Sequence, residues 1–132
     1  MHHHDTPEFS VEAWAAFWSS PSIELIGGVL APDIVGRWPG QEPVVGHDAN
    51  VQAIADFLEL APDLRAEVVE SAHSDDVIFI QWLAHAIGPN GPFELSGIDR
   101  IRVREGKVVD NLIRFDTAEL LAHLGVSAAS VA

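Results

Sequence analysis

From residue 64 onward the hydrophobic residues recur with period two, over four consecutive runs separated by turn signals. The runs are 64–73, 77–87, 93–104 and 107–115, broken at Ser74-Asp75-Asp76, at Gly88-Pro89-Asn90-Gly91-Pro92 and at Glu105-Gly106. Runs joined by such short turns pair as antiparallel neighbours. A meander of this length has one apolar face that needs a second layer over it. The first half of the chain supplies that layer. Ser10 caps a helix over 11–20, with Val11, Trp14, Phe17 and Trp18 at helical spacing. A second helix starts after Pro21-Ser22 and runs through Leu30. A short strand covers 34–38, Pro39 to Pro43 form a loop, and a third helix covers 48–60 with Asp48 as its cap. Asp116-Thr117-Ala118-Glu119 is a capping box that opens a short terminal helix closed by Gly125. The expected class is α+β: a long, strongly curved, mostly antiparallel sheet covered on one face by three N-terminal helices and a short C-terminal one, with a pocket between the layers.

The length, 132 residues, fits one domain, placed at 10–125. Residues 1–9 read as a purification tag or a disordered start, and 126–132 as a tail. The histidines His2, His3 and His4 are given no function. The chain has no cysteine, which excludes disulfides, thiolate metal sites and cysteine nucleophiles. Seven Lys+Arg against 20 Asp+Glu give a net charge of −13, so a nucleic-acid backbone or an anionic membrane would be repelled. No apolar run approaches the ~20 residues of a membrane span. The expectation is a soluble, cytoplasmic protein. No histidine–carboxylate set has metal-ligand spacing, and neither a glycine-rich phosphate loop nor a nucleophile elbow is present. The expected cofactor and metal content is therefore none.

Alternation along the third long strand singles out one residue. Ser96, Arg100, Arg102 and Arg104 share one face, and Leu95, Gly97, Asp99, Ile101 and Val103 share the other. The arginine face must be polar, so Asp99 is the one carboxylate among aliphatic neighbours. Burial there disfavours its charge and raises its pKa. Centring the preceding hairpin on Asn90 places Asp99 opposite Gln81 and Leu95 opposite His85. A two-residue Asn90-Gly91 turn would instead slip the register by one and bring Trp82 inside. A three-residue Arg104-Glu105-Gly106 loop pairs Val103 with Lys107 and Asp99 with Asn111. The expected interior is Gln81, Leu83, His85, Leu95, Asp99, Asn111, Ile113 and Phe115, lidded by Trp14 and Trp18 with Trp38 near the mouth. It would hold a small hydrophobic ligand.

Three motifs add a resemblance over roughly 10–124. They are Leu30-Ala31-Pro32-Asp33-Ile34-Val35, Gly46-His47-Asp48-Ala49-Asn50-Val51, and Ile98-Asp99-Arg100-Ile101-Arg102-Val103-Arg104-Glu105-Gly106-Lys107-Val108. Together with the element order, they resemble the nuclear-transport-factor-2-like superfamily, which includes SnoaL-like polyketide cyclases, ketosteroid isomerases and limonene-epoxide hydrolases. The resemblance implies a cone-shaped fold in which Asp99 matches the pocket acid. Ketosteroid isomerases add a tyrosine and a general-base aspartate. This chain has no tyrosine, and Arg37 falls about where that base would be, which argues against steroid isomerisation by that route. The epoxide hydrolases' Asp–Arg–Asp set would fall on Gln81, Leu83 and Ile113, which cannot activate water. The SnoaL-like cyclases fit better, with His85 as an orienting or proton-relaying partner of Asp99, and Gln81 and Asn111 positioning a substrate oxygen.

The resemblance thus implies acid–base chemistry on a small hydrophobic carbonyl compound. The alternative is a noncatalytic ligand-binding or dimerisation module of the same fold. An open pocket with Asp99 unpaired with arginine favours the enzyme, and a pocket filled by Trp14, Trp18, Trp38 and Phe115 favours the module. The outer sheet face bearing Arg100, Arg102 and Arg104 is the expected homodimer surface, meeting acids such as Glu67 or Asp110 of a partner.

Overall fold

The computed structural model describes residues 8–61 and 63–125. Of the segments set apart above, 1–7 and 126–132 lie outside the described residues. The first helix, α1 (Val11–Ser19), begins where Ser10 accepts a hydrogen bond from the Ala13 amide, 3.0 Å away. Helix α2 (Ile23–Gly27) is capped in the same way by Ser22, which accepts from the Leu25 amide. It stops short of Leu30, where strand β1 (Leu30–Arg37) already begins. That strand is longer than expected. Leu30 pairs with Val108, and the ladder slips before Val35. Pro32 sits inside the slipped stretch and has no amide hydrogen to give to a ladder.

Strand β2 (Val44–Val45) was not anticipated, because two residues carry no readable period. It pairs with β1 and leads into α3 (His47–Leu60). The N-cap of α3 is Gly46, with φ at 103°, and not Asp48, which lies in the first turn. No side chain caps α3, but Asn50 in its first turn is buried and ties the helix down in another way. Its Nδ2 donates to the carbonyls of Ile34, Val44 and Gly46 at 3.3, 3.0 and 2.7 Å. The amide therefore ties helix to strands, and Gly36 makes room for it: a Cβ there would collide with Asn50 Oδ1.

Strands β3 (Arg65–Ser74), β4 (Val77–Gly88), β5 (Gly91–Arg104) and β6 (Lys107–Phe115) form the expected meander, and α4 (Thr117–His123) closes the described chain. Asp116 caps α4 by accepting from the Glu119 amide at 2.9 Å. The open six-stranded sheet has the order β2-β1-β6-β5-β4-β3. Only the β1–β6 pair is parallel. One sheet face packs under the helices. Trp14 and Phe17 of α1, Ile26 of α2 and Ile54 of α3 share a core with Ile80, Trp82, Leu95 and Ile101 of the sheet. The α+β expectation holds. No helix among the described residues is long and apolar enough to cross a membrane.

Two hairpins depart from the expected register. Between β4 and β5 the turn residues are Pro89 and Asn90, with Gly88 paired to Gly91. Proline presets φ at the first corner, and Gly91 takes φ at 109° to re-enter the strand. The pairing is one residue away from a centre at Asn90. Asp99 faces Ile80 instead of Gln81, and Leu95 faces Ala84 instead of His85. Because side chains alternate, this slip turns Trp82 inward and Gln81, Leu83 and His85 outward.

Between β5 and β6, Arg104 pairs with Lys107 across a two-residue loop. Glu105 and Gly106 both have positive φ, 52° and 79°, as a type I′ turn requires. A bulge follows, so Asp99 lies opposite Ile113 rather than Asn111. The bulge restores the parity, leaving Asn111, Ile113 and Phe115 on the inner face as expected.

Replacing Asn50 should strand three backbone carbonyls. Asn50→Ala is expected to lower unfolding free energy by about 3 kcal/mol in urea titrations. Gly36→Ala should cost less in that background than in the wild type, since the clash partner is gone. A loss under about 1 kcal/mol for Asn50→Ala would show that the carbonyls find other donors.

Candidate active site

A cavity of about 80 Å³ lies between the helices and the inner face of the sheet. Its walls are apolar and aromatic apart from Asn50, Asn111 and Asp99, and Asp99 is the sole ionisable residue among those lining it. Asp99 is 6% exposed. Trp82 Nε1 donates to Oδ1 at 3.0 Å and Trp14 Nε1 donates to Oδ2 at 3.3 Å. Thus β5 carries the acid, β4 and α1 each send one indole to it, and no arginine reaches it.

The Trp82 contact exists because of Gly97. The two residues are cross-strand partners, and a Cβ on Gly97 would collide with the six-membered part of the Trp82 ring and with the Arg114 carbonyl. Glycine in a strand interior weakens the strand, and here it lets an indole lie close to the backbone. The ring then meets Phe115 edge-on, with centroids 6.2 Å apart. Phe115 continues to Phe57 at 6.1 Å and Phe57 to Trp38 at 5.3 Å. Trp14 and Trp18, 6.0 Å apart, add aromatic wall from α1.

Burial pushes the Asp99 carboxyl up to about 6, while hydrogen bonds from Trp82 and then Trp14 pull it down without winning. The expected direction and cause hold. The donors differ: indoles take the place of the Gln81 and Asn111 amides. Asn111 lines the cavity, and its Oδ1 is buried with no hydrogen-bond partner among the described residues. A buried acceptor without a donor marks a place where a ligand or water completes the bonding.

The fold thus gathers Asp99, Asn111, Trp14, Trp18, Trp38, Ile113 and Phe115 around one space. It does not bring in Gln81, Leu83 or His85, all turned outward by the hairpin register. Gln81 is exposed. His85 Nε2 lies 2.6 Å from Glu67 and Nδ1 3.5 Å from Glu94, on the opposite side of the sheet from Asp99. It cannot relay a proton to Asp99. Trp82, Phe57 and Gly97 belong to the site and were not assigned to it. A glycine in an otherwise bulky strand, across from a tryptophan, was the available signal.

The outer-face cations find partners within the chain. Arg37 makes three contacts to the two Asp110 oxygens and Arg100 adds a fourth at 2.8 Å. Burial works to raise Asp110, but the two guanidinium groups hold it below the usual carboxylate range. Arg102 and Arg104 lie 3.5 and 3.9 Å from Asp76. Asp110 is therefore already engaged at home, which removes one of the acids expected to meet these cations from a partner.

Asp99 links folding to pH. Its carboxyl titrates near 6 when folded and near 3.8 when free. Between these values the folded state binds more protons, so its contribution is fully present below pH 3.8 and is lost as pH rises through 6. The loss amounts to about 3 kcal/mol by pH 7. The stability difference between wild type and Asp99→Asn should shift against the wild type by that amount from pH 3.5 to 7. A difference that does not vary with pH would contradict the burial of an ionisable acid.

Solved structures with the same fold are numerous. A protein of ketosteroid isomerase-like fold from Catenulispora acidiphila, in complex with trimethylamine, superposes with a TM-score of 0.79 at 18% identity, over 90% of this chain and 94% of that one. IdmH from Streptomyces antibioticus, a candidate polyketide cyclase, gives 0.75 at 23% identity over 96% and 100%. A candidate SnoaL-like polyketide cyclase from Jannaschia sp. CCS1 gives 0.76 at 13% identity over 86% and 90%. At these identities the likeness shows the fold, which hosts many functions. Comparison with curated proteins finds no match. The family model of the SnoaL-like domain matches residues 11–111, and the chain belongs to that family, within the nuclear-transport-factor-2-like superfamily.

Proposed function

We propose that this protein encloses a small, largely apolar carbonyl compound and moves a proton to and from it through Asp99. One observation carries the reading: among the described residues a single buried carboxyl lines an apolar cavity, oriented by two indole N–H donors and with no cationic partner. A carboxyl titrating near 6 can both take and return a proton near neutral pH. Ionised Asp99 would remove a proton from the carbon beside the carbonyl, and the Asn111 amide would donate to the oxygen on which charge develops. Returning the proton at another atom completes an isomerisation. His85 and Gln81 have no part in it. The volume restricts the substrate, since an engineered apolar cavity of about 150 Å³ is what holds benzene.

A noncatalytic binding module is the second reading. The aromatic side chains that narrow the cavity favour it, as does the absence of a tyrosine or a second carboxylate beside Asp99. The Catenulispora neighbour's complex with trimethylamine is an instance of a small molecule held by this fold. Deuterium uptake beside the carbonyl of acetone and cyclobutanone, followed by NMR, separates the readings. The catalytic one expects a protein-dependent rate that follows ionisation of Asp99 with a midpoint near pH 6. Asp99→Asn should then lose about 10²–10⁴-fold of it. Ketones that quench tryptophan fluorescence but exchange no protons would leave the binding module.

The outer sheet face supports a homodimer. Phe79 and Ile98 are 43% and 49% exposed there, on strands whose charged neighbours are already paired. Apolar surface of this kind is ordinarily covered in an oligomer. Light scattering at micromolar concentration should give a dimer, and Ile98→Asp a folded monomer. A monomeric wild type would remove the interface.

A further inference from the structure

The neutral-carbonyl reading leaves one property of the cavity unused: its lining holds one carboxyl and a run of aromatic rings, with no cationic side chain among the described residues. Among the described residues that line it, Asp99 is the only ionisable one, with no lysine, arginine or histidine. The aromatic wall runs Trp38, Phe57, Phe115, Trp82 with neighbouring centroids 5.3 to 6.2 Å apart, and Trp14 with Trp18 adds a second section. Ring faces carry negative charge density. Asn111 Oδ1 adds an acceptor that has no donor among the described residues. Arg37 and Arg100 are engaged with Asp110, and Arg114 bonds the carbonyls of Arg37 and Ile113. We infer that the cavity is an aromatic cage for a small methylated ammonium ion, with Asp99 as its counter-ion.

The chemistry favours a methylated ammonium over a primary one. A primary ammonium brings three N–H donors that must all be satisfied when buried. Both Asp99 oxygens already accept an indole N–H, and the remaining lining is mostly aliphatic and aromatic side chains. Methyl groups suit that wall, and a cation against aromatic faces gains most when water is excluded. The ion would relieve the cost of holding an ionised carboxylate away from water. The net charge of −13 favours the approach of cations to the protein. The residues that face Asp99 are Trp14 from α1, Ile80 and Trp82 from β4, and Ile113 from β6, none of which titrates near neutral pH. Occupancy should therefore follow the protonation of Asp99 alone. The inference rests on the cavity and not on Asp99 turning over a ketone.

Calorimetric titration of the full chain with trimethylammonium chloride tests it at fixed ionic strength, with neutral isopropanol, which has the same branched skeleton of four heavy atoms, as the comparison. The cation should bind at least tenfold more tightly than the alcohol at pH 7.5. Its affinity should fall about tenfold at pH 5, where Asp99 is mostly protonated. Asp99→Asn should lose a similar factor, and Trp18→Ala should weaken the cation more than the alcohol. The pH and ligand comparisons use the wild type, so they stand even if a variant fails to fold. Equal affinity for cation and alcohol, affinity flat between pH 5 and 7.5, or no cation binding at millimolar concentration would each overturn the inference. Acetone binding with deuterium uptake and no cation binding would sink the cage alone. Cation binding without uptake would sink the carbonyl reading alone.

Discussion

The site depends on one contact, the Trp82 indole lying over Gly97 with its N–H on Asp99. An ionisable group in an apolar layer is expensive unless its charged form is hydrogen-bonded or its neutral form prevails. Here both remedies are half applied. Two indoles donate to the carboxyl, which makes ionisation attainable, while burial still pushes it up to about 6. The acid is thereby poised between its two states. The backbone conditions for this are modest: a glycine at position 97 and a hairpin whose register sets Trp82 across from it. That register follows from Pro89 at the first corner of the turn and Gly91 at positive φ after it.

Much of the fold was legible because long periodic stretches say what they are. The four strands of the meander, α1 with its Ser10 cap and α4 with its Asp116 cap all follow from spacing and turn chemistry. The burial of Asp99 was legible too, since alternation put it opposite a face of arginines. What could not be read was parity. Gly88-Pro89-Asn90-Gly91 can turn at more than one place, and a single-residue slip exchanges the two faces of β4. That exchange alone removed Gln81, Leu83 and His85 from the interior and installed Trp82. Between β5 and β6 the tight turn and the β6 bulge each shifted the pairing by one, so the partner of Asp99 moved from Asn111 to Ile113 while the inward set stayed intact. Strand β2 was too short for any period, and Asn50 works through three backbone carbonyls that a sequence pattern does not display.

The two faces of the sheet solve the charge problem in different ways. On the outer face, Asp110 is compensated by Arg37 and Arg100, so its charge is a settled structural feature. On the inner face, Asp99 has dipoles for partners and no compensating ion. Only the second arrangement leaves a charge whose state can still change, and a ligand is what changes it. A carbonyl compound would do so by exchanging a proton and an ammonium ion by supplying the missing charge. Both possibilities draw on the same cavity, whose mostly apolar lining strengthens electrostatic interactions inside it.

The central claim is that Asp99 is buried, titratable near neutral pH and without a cationic partner among the described residues. Carbon-13 NMR of the side-chain carboxyl groups, with Asp99→Asn to identify its signal, measures this directly. The account predicts a midpoint near 6 for Asp99. A midpoint at or below the ordinary 3.8 would mean that the group is exposed or salt-bridged, and would contradict the account.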